Sequence, residues 1–366
     1  MNSVKTFDTK LGALSISILV LSGVVLIFSF LAPSIFVQPT RTGIDFSKTG
    51  QIGDTIGGLM NPFIAIAGVL LTFLAFFIQF RANKLQQSSF REELNEQKIQ
   101  FRKSQFENQF YEMLRLHKEN VNDLQISIRK LIRLSMSEKE PLEEIIKGRK
   151  TFDYFIKELE LCYYIAKKSF KESDYKVWLN EAYGIIYHGL NNELITKHEY
   201  FKILSDIQQA HERNNYSTLS TIVRSKFPTN DDFDLQYPIF KGYSSLLGHY
   251  YRHLFQTVKF VVSQDEELVT YENKRKYLRI LRAQLSNQEQ AMLFYNWFSN
   301  FGRQWENNTN RFFTDYRMIH NIYPQLIIPD LHIEEIFDFN GNFRKESGRV
   351  KDPLFEYQDW EKSASG

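Results

Sequence analysis

The chain has 366 residues, a net charge of +2 and a single cysteine, Cys162. The near-neutral balance excludes a global electrostatic pull toward nucleic acid, and one cysteine excludes an intrachain disulfide or a multi-cysteine zinc site. Aromatic residues make up 15%, with 32 Phe and 19 Tyr, which suits an aromatic-rich helical core attached to a small membrane module.

Residues 11–32 (LGALSISILVLSGVVLIFSFLA) carry no charge. As a helix they reach about 33 Å, longer than the apolar region of a cleaved signal peptide. Pro33 and Pro39 end the stretch, and a loop over 38–54 leads to a second one. Residues 55–80 are again uncharged, and as a helix they span about 39 Å, enough to cross a hydrocarbon core with some tilt. Together these stretches predict a membrane hairpin over 1–80. Lys5 and Lys10 before it, with Arg81, Lys84, Arg91 and Lys98 after it, outnumber Arg41 and Lys48 in the loop. Both termini are therefore expected in the cytoplasm. The second span holds Gly57, Gly58, Asn61, Pro62 and Gly68. Small residues permit close helix packing, Pro62 removes one backbone donor, and a membrane Asn bonds across helices. They read either as packing of the two spans on each other or as self-association into an oligomer.

From Arg81 the sequence turns polar without a Gly or Pro and is rich in Gln, Glu, Lys and Arg. These are good helix formers, so residues 81–105 read as a helical stalk. Residues 106–330 read as a helical cytoplasmic domain, with helix expected throughout from Phe106 to about Ile222 apart from ordinary turns near 137–141 and Gly148. HERNNYS (211–217) and FPTNDDFDLQYP (227–238) read as polar loops. In the tail, 331–366, Asn340-Gly341 between alternating apolar residues is a hairpin signal. The predicted class is all-α with a small C-terminal β-hairpin.

Two helices carry candidate chemistry. In SSLLGHYYRHLFQTVKFVV, Leu247, Tyr251, Leu254 and Val258 fall on one face, and His249, Arg252, His253 and Gln256 on another. In the next helix Leu278, Leu281 and Leu285 share a face, with Arg275, Arg279 and Arg282 beside them. His249, Arg252, His253, Arg279 and Arg282 form a candidate anion or ligand clamp, set against the plainer reading of helix–helix contacts. His249 and His253 have the spacing of a helical metal pair, but no third ligand stands at predictable spacing, so neither a metal nor another cofactor is assigned. Ser286 and Glu289 make a capping box, a structural role that stands ahead of a catalytic one. No phosphate-cradling, nucleophile-elbow or dinucleotide-binding motif occurs. The Arg-x4–6-His pattern of the HEPN ribonucleases is absent at all eight histidines.

Four blocks resemble one bacterial family: GDTIGGLMNPFIAIAGVLLTFLAFFIQFRANKLQ, QFENQFYEMLRLHKENV, GHYYRHLFQTVKF and LRAQLSNQEQAMLFYN. In this order, from about Gly53 to Pro329, they are similar to the AbiC-like phage abortive infection proteins. The resemblance implies a multi-pass inner-membrane protein of anti-phage defence, in which infected cells stop growing before virions mature. It carries over no catalytic motif. Three expectations follow. The first is a membrane effector, a homo-oligomer whose cytoplasmic domain senses a phage protein, a nucleotide or a nucleic acid. The second is a membrane-tethered nuclease or nucleotide-processing enzyme. The third is a scaffold for a phage or host protein.

Overall fold

The computed structural model describes residues 2–36, 49–133, 139–191, 198–213, 239–338 and 352–358. The hairpin signal at Asn340-Gly341, the loop 227–238 and most of the loops 38–54 and 211–217 lie outside them. The chain divides into two compact units, Met1–Phe101 and Arg102–Gly366.

The first unit contains α1 (Asn2–Phe36) and most of α2 (Thr49–Asn122), whose helical run passes through Pro62. Ser22 and Ser29 on α1 are buried, as are Ala67 and Leu74 on α2. Each pair is seven residues apart, two turns along one face. Phe28 meets Phe63 edge to face at 5.1 Å between ring centres. Among the described side chains many apolar ones point outward, Phe30, Val69, Phe76 and Phe80 among the most exposed. Among the described residues one helix, Ile56–Asn122, is long and apolar enough to cross a membrane, and α1 supplies the shorter apolar stretch Ser15–Leu31.

The second unit is mostly helical around one core. After α2 come β1 (Gln125–Arg133) and β2 (Lys139–Lys147), an antiparallel pair in which Ile126 faces Ile146. This corrects the expectation that the chain from 106 to about 222 is helical apart from turns near 137–141 and Gly148. At the start of β1, QISIR alternates with a period of two, so Ile126 and Ile128 enter the core together. Pro141 is tolerated because both strands of a two-stranded sheet are edges.

A 3-10 turn leads into α3 (Thr151–Ser169), the central helix. Phe152, Phe155, Leu159, Cys162, Tyr163 and Ala166 are buried around it. α4 (Tyr175–His188), α5 (Glu199–Glu212) and α8 (Asn287–Phe298) pack against it. α6 (Ser244–Val262) contacts both α4 and α7 (Tyr271–Arg282), and the short α9 (Ile333–Asp338) ends the main run. The predicted apolar faces of α6 and α7 are buried at Leu247, Tyr251, Leu254, Val258, Leu278 and Leu281.

The entry to α6 depends on two glycines. Gly189 and Gly242 both have positive φ, 82° and 80°. A Cβ on Gly242 would lie 2.5 Å from the His188 carbonyl carbon. This close approach lets Leu190 donate to the Phe240 carbonyl and Tyr243 to the Ile186 carbonyl, each at 2.8 Å.

Candidate functional site

The polar sides of α6 and α7 meet three different surroundings, two of them around α6. The first is the C-terminal part of α2. There, in a stripe otherwise made of Phe106, Phe110 and Val121, stands His117, only 1% exposed. Its ring lies nearly parallel to that of His253, 6.2 Å between centres. None of the four ring nitrogens has a hydrogen-bond partner among the described residues. Burial first, then the charges of His253 and Arg149, push His117 down to about 4. Burial and neighbouring His249 also lower His253. Both rings are thus held neutral at pH 7. His249 is more exposed and pairs through Nε2 with Asn120 Oδ1 at 3.2 Å. Among the described residues no group of three His, Cys, Asp or Glu side chains could hold a metal ion.

Beside this pair, Ser286 and Glu289 form the reciprocal cap of α8: Glu289 N–H donates to Ser286 Oγ at 3.2 Å, and Ser286 N–H to Glu289 Oε2 at 2.7 Å. Glu289 also accepts from Tyr250 Oη at 3.1 Å and pairs with Arg149 at 3.3 Å. Burial raises its carboxyl above the usual range, against the opposing donors. The cap therefore ties α6, α8 and the turn before α3 together.

The second surrounding is a cleft of about 420 Å³ walled by α6, α8 and the turn after it. Arg252 stands in it, with Nε donating to the Gly248 carbonyl at 2.9 Å. Tyr187, Tyr251, Phe255, Phe301 and Trp305 supply aromatic walls, and Gln256, Asn296 and Gln304 supply amides.

Arg279 and Arg282 belong to a third place. Arg279 is exposed, and Arg282 donates to the Arg317 carbonyl at 3.0 Å. Burial, then the charge of Arg279, lowers Arg282 to about 10. The segment 352–358 docks here. Asp352 pairs with Arg275 at 2.7 Å, and Asn321 donates to Glu356 Oε2 at 2.7 Å. The five residues of the expected clamp are thus distributed: His249 and His253 face α2, Arg252 faces the cleft, Arg282 lies near Asp352 and Glu356, and Arg279 is exposed on α7.

In the first unit, Gly57, Gly58 and Gly68 have open space where a Cβ would be, and Asn61 and Pro62 are exposed. Sequence reasoning passed over His117 and Arg149. A signal existed for His117, because it interrupts an apolar stripe at 106, 110 and 121. Arg149 reaches Glu289 from 140 positions earlier in the chain, a pairing that no local pattern encodes.

No curated protein and no solved structure matches this chain. Two of the four resembling blocks, GHYYRHLFQTVKF and LRAQLSNQEQAMLFYN, fall within residues 242–326, together with every wall of the cleft except Tyr187. Over those residues the chain matches the family model described as "Putative phage abortive infection protein", in agreement with the AbiC-like resemblance of its sequence blocks.

Proposed function

We propose that the protein is an abortive-infection effector held in the bacterial inner membrane by its first unit, with the second unit in the cytoplasm as the sensor. The observation that carries this reading is the outward-facing apolar surface of α1 and α2. Soluble proteins do not leave side chains such as Phe30 on α1 and Val69, Phe76 and Phe80 on α2 exposed together, whereas lipid accepts them. The excess of Lys and Arg at the two ends of the hairpin supports placing both termini on the cytoplasmic side. The unfilled surface at Gly57, Gly58 and Gly68 supports self-association, since small residues let a second helix approach. In this reading a trigger bound by the second unit alters how the hairpins associate, and the bilayer loses its ion barrier.

The test is membrane potential, followed by dye in infected bacteria that express the intact chain, with phage yield recorded alongside. Depolarisation ahead of normal lysis, with reduced yield, is the expected result. Reduced yield at a steady potential overturns the effector role and points to chemistry in the second unit.

A further inference from the structure

The cleft beside α6 has a composition unlike the other large cleft. That one, about 630 Å³, is lined by Glu306, Asp330 and Glu335 as well as Lys176 and Arg303. The α6 cleft, about 420 Å³, has one cation and no carboxylate on its walls. Arg252 uses Nε on its own helix, and among the described residues its guanidinium makes no ion pair. Two aromatic pairs stand around it, Tyr187 with Phe301 at 5.1 Å and Phe255 with Trp305 at 5.3 Å. Phe301 is exposed. The Gln256 amide has no partner among the described residues, and Gln304 adds a second amide.

Two glycines keep this space. A Cβ at Gly248 would lie 2.8 Å from the Tyr187 hydroxyl, and one at Gly302 would lie 2.0 Å from Asn296 Oδ1. At Gly302 the chain turns back, with its N–H donating to the Asn296 carbonyl at 2.8 Å. A larger residue at either place drives into the wall.

An unpaired guanidinium selects an anion, the exposed ring of Phe301 selects a flat ring, and side-chain amides read the polar edge of such a ring. The volume lies within the range of small-molecule sites. We propose that this cleft binds a nucleotide, its base stacked on the aromatic wall and its phosphate against Arg252. The inference rests on the sensor role given to the second unit and names the chemical class that the sensor takes.

The experiment is calorimetric titration of the purified full-length chain in detergent with AMP, GMP, CMP and UMP. Inorganic phosphate and the free nucleosides form separate arms. At least one nucleotide is expected to bind at least about tenfold more tightly than phosphate or its own nucleoside, because both ring and charge contribute. Arg252→Ala and Phe301→Leu are each expected to weaken binding about tenfold with an unchanged thermal midpoint. Arg279→Ala, away from the cleft, is expected to bind as the parent does. No heat from any nucleotide up to about 1 mM, phosphate binding as tightly as a nucleotide, or undiminished binding by Arg252→Ala each overturns the proposal. The assay involves no membrane event, so its failure leaves the effector role standing, and a steady potential in infected cells leaves nucleotide binding untouched.

Discussion

Phenylalanine is used in opposite ways in the two units. Phe76 and Phe80 are each 68% exposed, whereas Phe110 and Phe155 are fully buried. The residue type is the same, but in the proposed reading the solvent it is built for differs. In the second unit the apolar side chains converge on α3 and leave water. In the first, the buried side chains among the described residues form a narrow seam with Ser22, Ser29, Ala67 and Leu74. Hydrophobic residues turned outward along the apolar stretches of α1 and α2 make sense when lipid, not water, is the surrounding phase.

The sharpest way to break this comparison is to truncate one ring in each unit. Phe155→Ala leaves a cavity beside α3 and is expected to cost about 3–5 kcal/mol. A domain of this size then loses about 6–20 °C in thermal midpoint. Phe76→Ala is expected to leave that midpoint unchanged. Equal losses from both would mean that Phe76 is packed against protein. The converse substitution targets the first unit. Val69→Arg places a charge on the outward face at a cost of about 3 kcal/mol for insertion. The fraction of chain in the membrane pellet should fall, while the second unit keeps its fold by circular dichroism.

Smaller effects come from buried charge. Glu158 accepts from Phe240 N–H and Tyr243 Oη, at 2.8 and 2.9 Å. Burial pushes it from 4.5 to about 7, against those two donors. Glu160 and Glu306 are raised by burial to about 7 as well. A raised carboxyl contributes stability that is complete below 4.5 and lost as pH climbs through 7. His117 has the opposite sign: its contribution is present above 6.5 and lost as pH falls through about 4. The two oppose each other in mild acid, but above 6.5 only the carboxyls act. The urea midpoint should therefore decline from pH 6.5 to about 8, and Glu158→Gln should make that decline shallower. The smallest expected effect is at the α8 cap, where Ser286→Ala should cost about 1 kcal/mol in urea unfolding.

The sequence made the local rules legible and left the partners hidden. The apolar faces of α6 and α7 follow from spacing at three and four residues, and the cap of α8 from a serine and a glutamate three apart. The hairpin at Gln125–Lys147 escaped because its Arg, Lys and Leu residues also favour helix. Its alternation of Ile126 and Ile128 spans too few residues to outweigh the helical pattern before it. The candidate clamp shows the other limit. Periodicity places His249, Arg252 and His253 on one side of a helix, but it does not say which neighbour each will meet. Arg252 looks into the cleft only because Gly302 turns the chain back there, and Arg282 lies near Asp352 only because a segment seventy residues further on docks beside it.

The most direct test of the central claim is whether the first unit lies in lipid. Membranes from bacteria expressing the intact chain are washed with alkaline carbonate, and the protein is followed in pellet and supernatant. The outward apolar surface of α1 and α2 predicts that the chain stays in the pellet with integral proteins. Recovery in the supernatant would contradict the account and require a protein partner to cover that surface instead.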